Sequence, residues 1–153
     1  MSTAFEIHAV QGIVPVADAF NGTVATDIIE MQGEGILFTR FDGAGATGTS
    51  TVTIVACDDT TPNNTHAVAF KYRIQTTSDV WGDWTEATAA GFTTTAGANQ
   101  LYQMWAAAEE LGHIGYKYVK AVFLEVVSNA VTGCVLAQVF GGRYKEAPES
   151  YID

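Results

Sequence analysis

Residues Gly43 to Gly48 have the spacing G-x-G-x-x-G, which dinucleotide-binding proteins use to bind a pyrophosphate. That chemistry requires a helix to begin at the motif, because the free N–H groups of its first turn bind the phosphates. The residues that follow, Thr51 to Cys57 (TVTIVAC), alternate as a strand does, and no Walker lysine follows the glycines. We therefore predict a hairpin loop at this position and no cofactor.

A second candidate is a cation site at Asp58, Asp59 and His66, whose oxygen and nitrogen atoms could bind a divalent ion. An EF-hand needs oxygen ligands at fixed alternate positions and a glutamate at the twelfth, and this stretch lacks them. Asp and Asn in a loop such as DDTTPNNT more commonly form Asx turns. His8, His66 and His113 are far apart and form no H-x-x-x-H pair, so we predict no metal site.

Residues suited to nucleophilic or acid–base catalysis are present but lack the required arrangement. There is no G-x-S-x-G turn for a serine nucleophile, and neither cysteine has neighbours that would make a reactive thiolate. Carboxylate pairs occur, but no pattern marks two that would face each other across a cleft. The sequence therefore predicts no catalytic residues, and we expect that the protein is not an enzyme.

The two cysteines, Cys57 and Cys134, each lie within a predicted strand. Two buried thiols are the expected state in a reducing compartment. A disulfide between neighbouring strands is the alternative.

Three tryptophans, Trp81, Trp84 and Trp105, could form a platform on which sugar rings stack. Aromatic residues with this spacing more often belong to a core or to a contact between subunits. We keep the platform as the alternative, in which the chain would be a carbohydrate-binding β-sandwich module.

The charge of the chain excludes two classes of partner. Its 153 residues include 17 acidic and 7 basic side chains, for a formal net charge of −10. Binding to nucleic acid or to an anionic membrane requires clustered Lys and Arg, so we expect neither partner. The low charged fraction of 16% nevertheless favours a homo-oligomer or an assembly subunit, in which partners cover part of the surface.

The element most able to organise a fold is the apolar run from Gly115 to Val127 (GYKYVKAVFLEVV). Branched and aromatic residues occupy both alternating sets of positions, which predicts a central strand covered on both faces. Further strands are predicted at Glu34 to Phe41, Ala67 to Thr76 and Gly133 to Phe140. In Glu34 to Phe41, the residues Ile36, Phe38 and Arg40 share one face.

The segment from Asn99 to Gly112 fits two structures. A helical period is matched by Leu101, Tyr102, Met104, Trp105, Ala108 and Leu111. Helix propensity is high only from Ala106 onward, which favours a strand from Gln100 to Trp105 followed by a short helix near residues 106–111.

Together these patterns predict one all-β domain over residues 1–153, an antiparallel β-sandwich or barrel of about eight to ten strands. Pro15 within a short apolar run indicates an edge strand or an extended N-terminal arm, about residues 1–16. The polar residues 143–153 predict an extended C-terminal tail.

Four stretches and a dipeptide resemble a known family: Thr51–Pro62 (TVTIVACDDTTP), Ala69–Thr76 (AFKYRIQT), Ala90–Tyr102 (AGFTTTAGANQLY), Tyr116–Val127 (YKYVKAVFLEVV) and Arg143-Tyr144. The pattern is similar to small structural proteins encoded in the virion gene clusters of tailed bacteriophages. The resemblance covers roughly residues 35–145 and implies head decoration (cement) as the role.

What the resemblance implies is a jelly-roll-like sandwich on the exterior of the capsid, made in the host cytoplasm and bound to the major capsid protein. It further implies a homo-oligomer, with a trimer favoured, and no catalytic residues. A tail or head–tail connection subunit is the other virion role that the same sandwich would serve.

Overall fold

The computed structural model describes residues 7–44, 47–75 and 79–141, together with the backbone of Ser150–Tyr151. The strands, in chain order, are β1 (Ile7–Val16), β2 (Thr23–Ala25), β3 (Ile28–Glu30), β4 (Gly35–Asp42), β5 (Thr49–Cys57), β6 (Thr65–Val68), β7 (Phe70–Gln75), β8 (Thr85–Ala87), β9 (Phe92–Thr93), β10 (Leu101–Ala107), β11 (Tyr118–Val127), β12 (Gly133–Phe140) and β13 (Ser150–Tyr151). One helix, α1 (Ala108–Gly112), follows β10. No helix in the described part of the chain is long and apolar enough to span a bilayer.

The strands form two antiparallel sheets. One has the order β1-β12-β4-β10-β7-β8, and the other has the order β13-β3-β11-β5-β6, with β2 also paired to β11 and β9 to β5. Eight of these strands, numbered again from first to eighth in chain order, form the two sheets of a jelly roll: β1, β3, β4, β5, β6, β10, β11 and β12. In this numbering one sheet has the order first, eighth, third, sixth, and the other has the order second, seventh, fourth, fifth. This is the strand order of a jelly roll, so the prediction of an all-β sandwich is confirmed.

The core lies between the two sheets and is built by strand alternation. In β4, Ile36 and Phe38 are fully buried, and Arg40 shares their inward face as predicted. β12 has the predicted bounds, and its alternate residues Val135 and Val139 reach the same core. Residues two apart therefore mark the inward face of each central strand.

The strand predicted to be covered on both faces is covered along its inner face and only at its start on the outer face. β11 does lie inside its sheet, between β5 and the pair β2 and β3. Val119, Ala121 and Phe123 are fully buried, whereas Leu124 is 51% exposed on the opposite face. On the outer face Tyr118 is buried in a small cluster with Ile28 and Cys57. No described element forms a third layer over the rest of that face, so the predicted coverage of both faces holds only at the start of the strand.

The predicted strand from Ala67 to Thr76 is two strands, β6 and β7, in different sheets. The chain bends at Ala69 and passes from one sheet to the other. Val68 and Phe70, on either side of the bend, both remain in the core. Apolar residues therefore alternate without interruption through the bend, because both sheets pack against the same core, and the sequence pattern indicated a single strand.

The favoured interpretation of residues 99–112 is confirmed, since β10 is a strand and α1 is a short helix. Of the two alternatives predicted for the N-terminal segment, residues 7–16 form the edge strand, since β1 pairs along its length with β12. The predicted C-terminal tail lies largely outside the described residues. Within it, the backbone of Ser150–Tyr151 pairs with β3.

Candidate interaction surfaces

Large apolar side chains are exposed at one end of the sandwich, which we call the apolar end. They are among the last residues of their strands, and their exposed fractions lie between 41% and 57%: Val14, Val16, Phe41, Leu124, Val126 and Val127. The strands that carry them, β1, β4 and β11, all finish at this end. By strand alternation Phe41 points away from the core on the six-stranded sheet, whereas Leu124 and Val126 do so on the seven-stranded sheet. The apolar end therefore presents exposed apolar groups on two outer faces, and such groups are candidates for contact with a partner.

Backbone hydrogen bonds join the loops of the apolar end to one another. The Gly43 N–H donates to the Thr132 carbonyl at 2.7 Å, and the Thr132 N–H donates to the Ala44 carbonyl at 3.0 Å. The Glu125 N–H donates to the Gly22 carbonyl at 2.7 Å, and the Gly22 N–H donates to the Glu125 carboxylate at 2.9 Å. These bonds hold the exposed apolar residues on a fixed framework.

The three tryptophans lie on the outer face of the six-stranded sheet, near its β7–β8 edge, and none of them is buried. The guanidinium of Arg73 stands between Trp81 and Trp84, 4.6 Å from the centre of each ring. Its Nε donates to Oε1 of Gln103 at 2.8 Å, which fixes the guanidinium between the rings. Of the three predicted roles for the tryptophans, membership of the core is therefore wrong, while the sugar platform and the contact between subunits stay predictions.

Trp105 is held against the sheet by its neighbours. Its ring packs edge-on to Phe140, with ring centres 5.7 Å apart. A Cβ atom at Gly35 would overlap the Cζ2 and Cη2 atoms of the indole, so the ring lies over a position where only glycine fits. The orientation of this indole is consequently set before any partner binds.

A groove runs beside Trp105. It consists of two depressions of about 610 and 320 Å³ that share Lys71 and Trp105, and we call it the tryptophan groove. Glu86, Glu109 and His113 line the larger depression, which lies beside α1. Trp84 lines the smaller one.

A charged pair lies inside the core, and it was not predicted from the sequence. Arg40 is fully buried, and its Nε and Nη2 donate to the two carboxylate oxygens of Asp42 at 2.6 and 2.9 Å. Its guanidinium lies 3.6 Å from the centre of the Phe20 ring, and its Nη1 has no hydrogen-bond partner among the described residues. Burial raises the pKa of Asp42, while the hydrogen bond and charge of Arg40 act to lower it. The sequence feature that could have predicted the burial of Arg40 was its position in β4, on the same face as the apolar residues Ile36 and Phe38.

A hydrogen-bond network closes over the core beside this pair. The hydroxyl of Tyr102 donates to Oε1 of Gln100 and lies 3.4 Å from that of Thr95. Burial raises the pKa of Tyr102, so the hydroxyl stays protonated at neutral pH.

The two loops considered for cofactor or cation binding have local structural roles. The glycine loop leads into the strand β5, as predicted, although its Gly45 and Ala46 lie outside the described residues. Asp58 accepts hydrogen bonds from the N–H and Nδ2 of Asn64 at 3.1 and 2.9 Å, and the side-chain bond lowers the pKa of Asp58. In the described ranges no three His, Cys, Asp or Glu side chains lie close enough to hold a metal ion.

The two cysteines lie in different sheets, Cys57 in β5 and Cys134 in β12, and they do not form a disulfide. Cys57 is fully buried, as predicted, whereas Cys134 is partly exposed. Burial raises the pKa of Cys134 above 9.0, and the negative charge of Asp42 raises it further.

We expect Cys134 to react slowly with iodoacetamide at pH 7, because the reactive thiolate is scarce below a raised pKa. The rate should rise about tenfold per pH unit between pH 7 and 9, and Cys57 should react only in denaturant. Mass spectrometry of labelled peptides measures both rates. A rate for Cys134 that does not change over this pH range would contradict the prediction.

Comparison of this chain with protein-family models, with curated proteins and with solved structures found no match.

Proposed function

We propose that this protein is a structural subunit of a bacteriophage particle, which decorates and stabilises the capsid by binding the assembled shell. Its partners are the major capsid protein and further copies of itself, with a trimer favoured. The observation that carries the proposal is the apolar end, together with the resemblance to decoration proteins in the sequence.

The apolar end is suited to a contact between proteins. Leu124 and Val126 are 51% and 57% exposed on β11, and Phe41 is 41% exposed at the end of β4. Covering such side chains contributes about 25 cal/mol for each Å² of apolar surface removed from water. The loops that carry them are joined by backbone hydrogen bonds, so little ordering entropy is lost on binding.

The stabilisation itself follows from mass action. A subunit that binds the assembled shell and not its separated parts shifts the equilibrium towards the shell. Copies that each bridge neighbouring capsid subunits add their effects through multivalency. The net charge of −10 favours solubility of the protein before it binds the shell.

Replacing apolar residues on β11 tests the contact. We expect the double variant Leu124→Asp/Val126→Asp to lose at least about tenfold in occupancy on particles that lack the protein, because two charges would have to be buried in the contact. Both side chains are about half exposed, so the fold should be retained. Copies per particle, measured by quantitative mass spectrometry after purification, give the occupancy.

Val80→Asp is the matched control, since Val80 is 63% exposed but lies outside β1, β4 and β11. It should bind as the unmodified protein does. A number of copies on the order of hundreds supports decoration, whereas about six or twelve indicates a connection subunit. Failure of the unmodified protein to bind particles would overturn the proposal.

A further inference from the structure

We propose that the tryptophan groove is a binding site for a neutral or N-acetylated oligosaccharide. The groove lies near the end of β10 that is remote from the apolar end, since Trp105 pairs with Leu37 while Leu101 pairs with Phe41. Saccharide binding therefore does not rest on the proposed attachment to a particle.

The groove is large enough for a short oligosaccharide. Its two depressions, of about 610 and 320 Å³, adjoin at Lys71 and Trp105 and are both open to solvent. Small-molecule sites commonly have volumes of about 300–1,000 Å³. Both depressions lie within this range, so the groove has room for a small ligand such as a short oligosaccharide.

Two indoles supply the stacking surfaces. Trp84 is 43% exposed and is held by Arg73, and Trp105 is held by Phe140 and by the absence of a side chain at Gly35. A fixed aromatic face loses little entropy when the apolar face of a sugar ring packs on it. Both rings line the smaller depression, and Trp105 continues into the larger one.

Polar side chains around the rings are suited to sugar hydroxyl groups. The Nζ atom of Lys71 lies 3.9 Å from Oε1 of Glu86, and the two side chains are 56% and 85% exposed. An exposed ion pair of this kind is weak, so each side chain can bind a sugar hydroxyl group in its place. Glu109 and Glu110 line the same depression, which gives the lining three carboxylates for one ammonium group. The excess of negative charge disfavours acidic glycans and leaves neutral or N-acetylated ones.

Calorimetric titration of the full chain with cello-, malto-, manno- and chito-oligosaccharides of three to five residues tests the site. We expect saturable binding of at least one of them at concentrations up to about 10 mM, and no binding of heparin fragments. Trp84→Ala should weaken the binding at least about tenfold, as truncation of an aromatic anchor commonly does. Trp105→Ala should do the same, but this ring also packs on Phe140, so Lys71→Met provides an independent test that spares the packing.

Trp81→Ala is the matched control, because Trp81 contacts Arg73 but lines neither depression. Its affinity should stay within about twofold of that of the unmodified protein. The proposal is overturned if no oligosaccharide binds, or if Trp81→Ala weakens binding as much as Trp84→Ala. Loss of particle occupancy in Trp84→Ala without any saccharide binding would instead identify the cluster as a protein contact, and would also overturn it.

Discussion

Replacement of Arg40 by Met is expected to lower the free energy of unfolding by about 3–5 kcal/mol at neutral pH. Met fills much of the same volume, so the loss comes chiefly from the carboxylate of Asp42, which stays buried without its partner. The two hydrogen bonds that Arg40 makes to this carboxylate are the ones removed. Urea unfolding followed by circular dichroism measures the change.

The pH dependence separates this cause from a simple packing defect. Burial already holds the pKa of Asp42 above its usual 3.8, and the loss of Arg40 removes the two effects that lower it. Because this pKa is raised, the folded state binds the proton of Asp42 more tightly than the unfolded state does. As the pH falls towards 3.8, protonation therefore removes the free-energy cost of burying the unpaired carboxylate. Arg40→Met should therefore be less destabilising at pH 5 than at pH 8.

The double variant Arg40→Met/Asp42→Asn supplies the control. It removes the unpaired charge, and so should be more stable than Arg40→Met alone at pH 8. A destabilisation by Arg40→Met that is equal at pH 5 and pH 8, and that Asp42→Asn does not reduce, would contradict the assignment of the effect to a buried charge.

Replacement of Gly91 by Ala is expected to destabilise the protein by about 2–5 kcal/mol, from two separate causes. Gly91 has φ +76°, in the left-handed region that disfavours a side chain. A Cβ atom there would also overlap the carbonyl oxygen of Val52, which is backbone and cannot turn aside. The next residue, Phe92, pairs with Val52 and stacks on Tyr72 at 3.9 Å between ring centres, so the strain is transmitted to the core.

Two other glycines separate the causes. Gly22 has φ +68° with open space around it, so Gly22→Ala should show the backbone effect alone, about 1–2 kcal/mol. Gly112 has open space and no positive φ, and Gly112→Ala should change the stability by less than about 0.5 kcal/mol. Urea unfolding of the three variants should rank them in this order. Equal values for Gly91→Ala and Gly22→Ala would show that the backbone of Val52 moves away without cost.

Local alternation in the sequence determined much of the fold. The strand at Gly133 to Phe140 has the predicted bounds, and Arg40 lies on the predicted face. The order strand then helix after Asn99 followed from the helix propensity that begins at Ala106. Each of these features depends on residues near one another in the chain, which a sequence displays directly.

Pairing between distant strands decided the rest. Trp81, Trp84 and Trp105 are brought together because β7 pairs with both β8 and β10, and no spacing in the sequence records that pairing. The bend at Ala69 could not be predicted from the sequence either, because the apolar residues alternate in the same way before and after it and pack into the same core. The exposure of Leu124 depended on the number of layers, which is a property of the whole sandwich. Periodicity states which way a side chain points along its own strand, whereas only the packed sheets determine what it meets there.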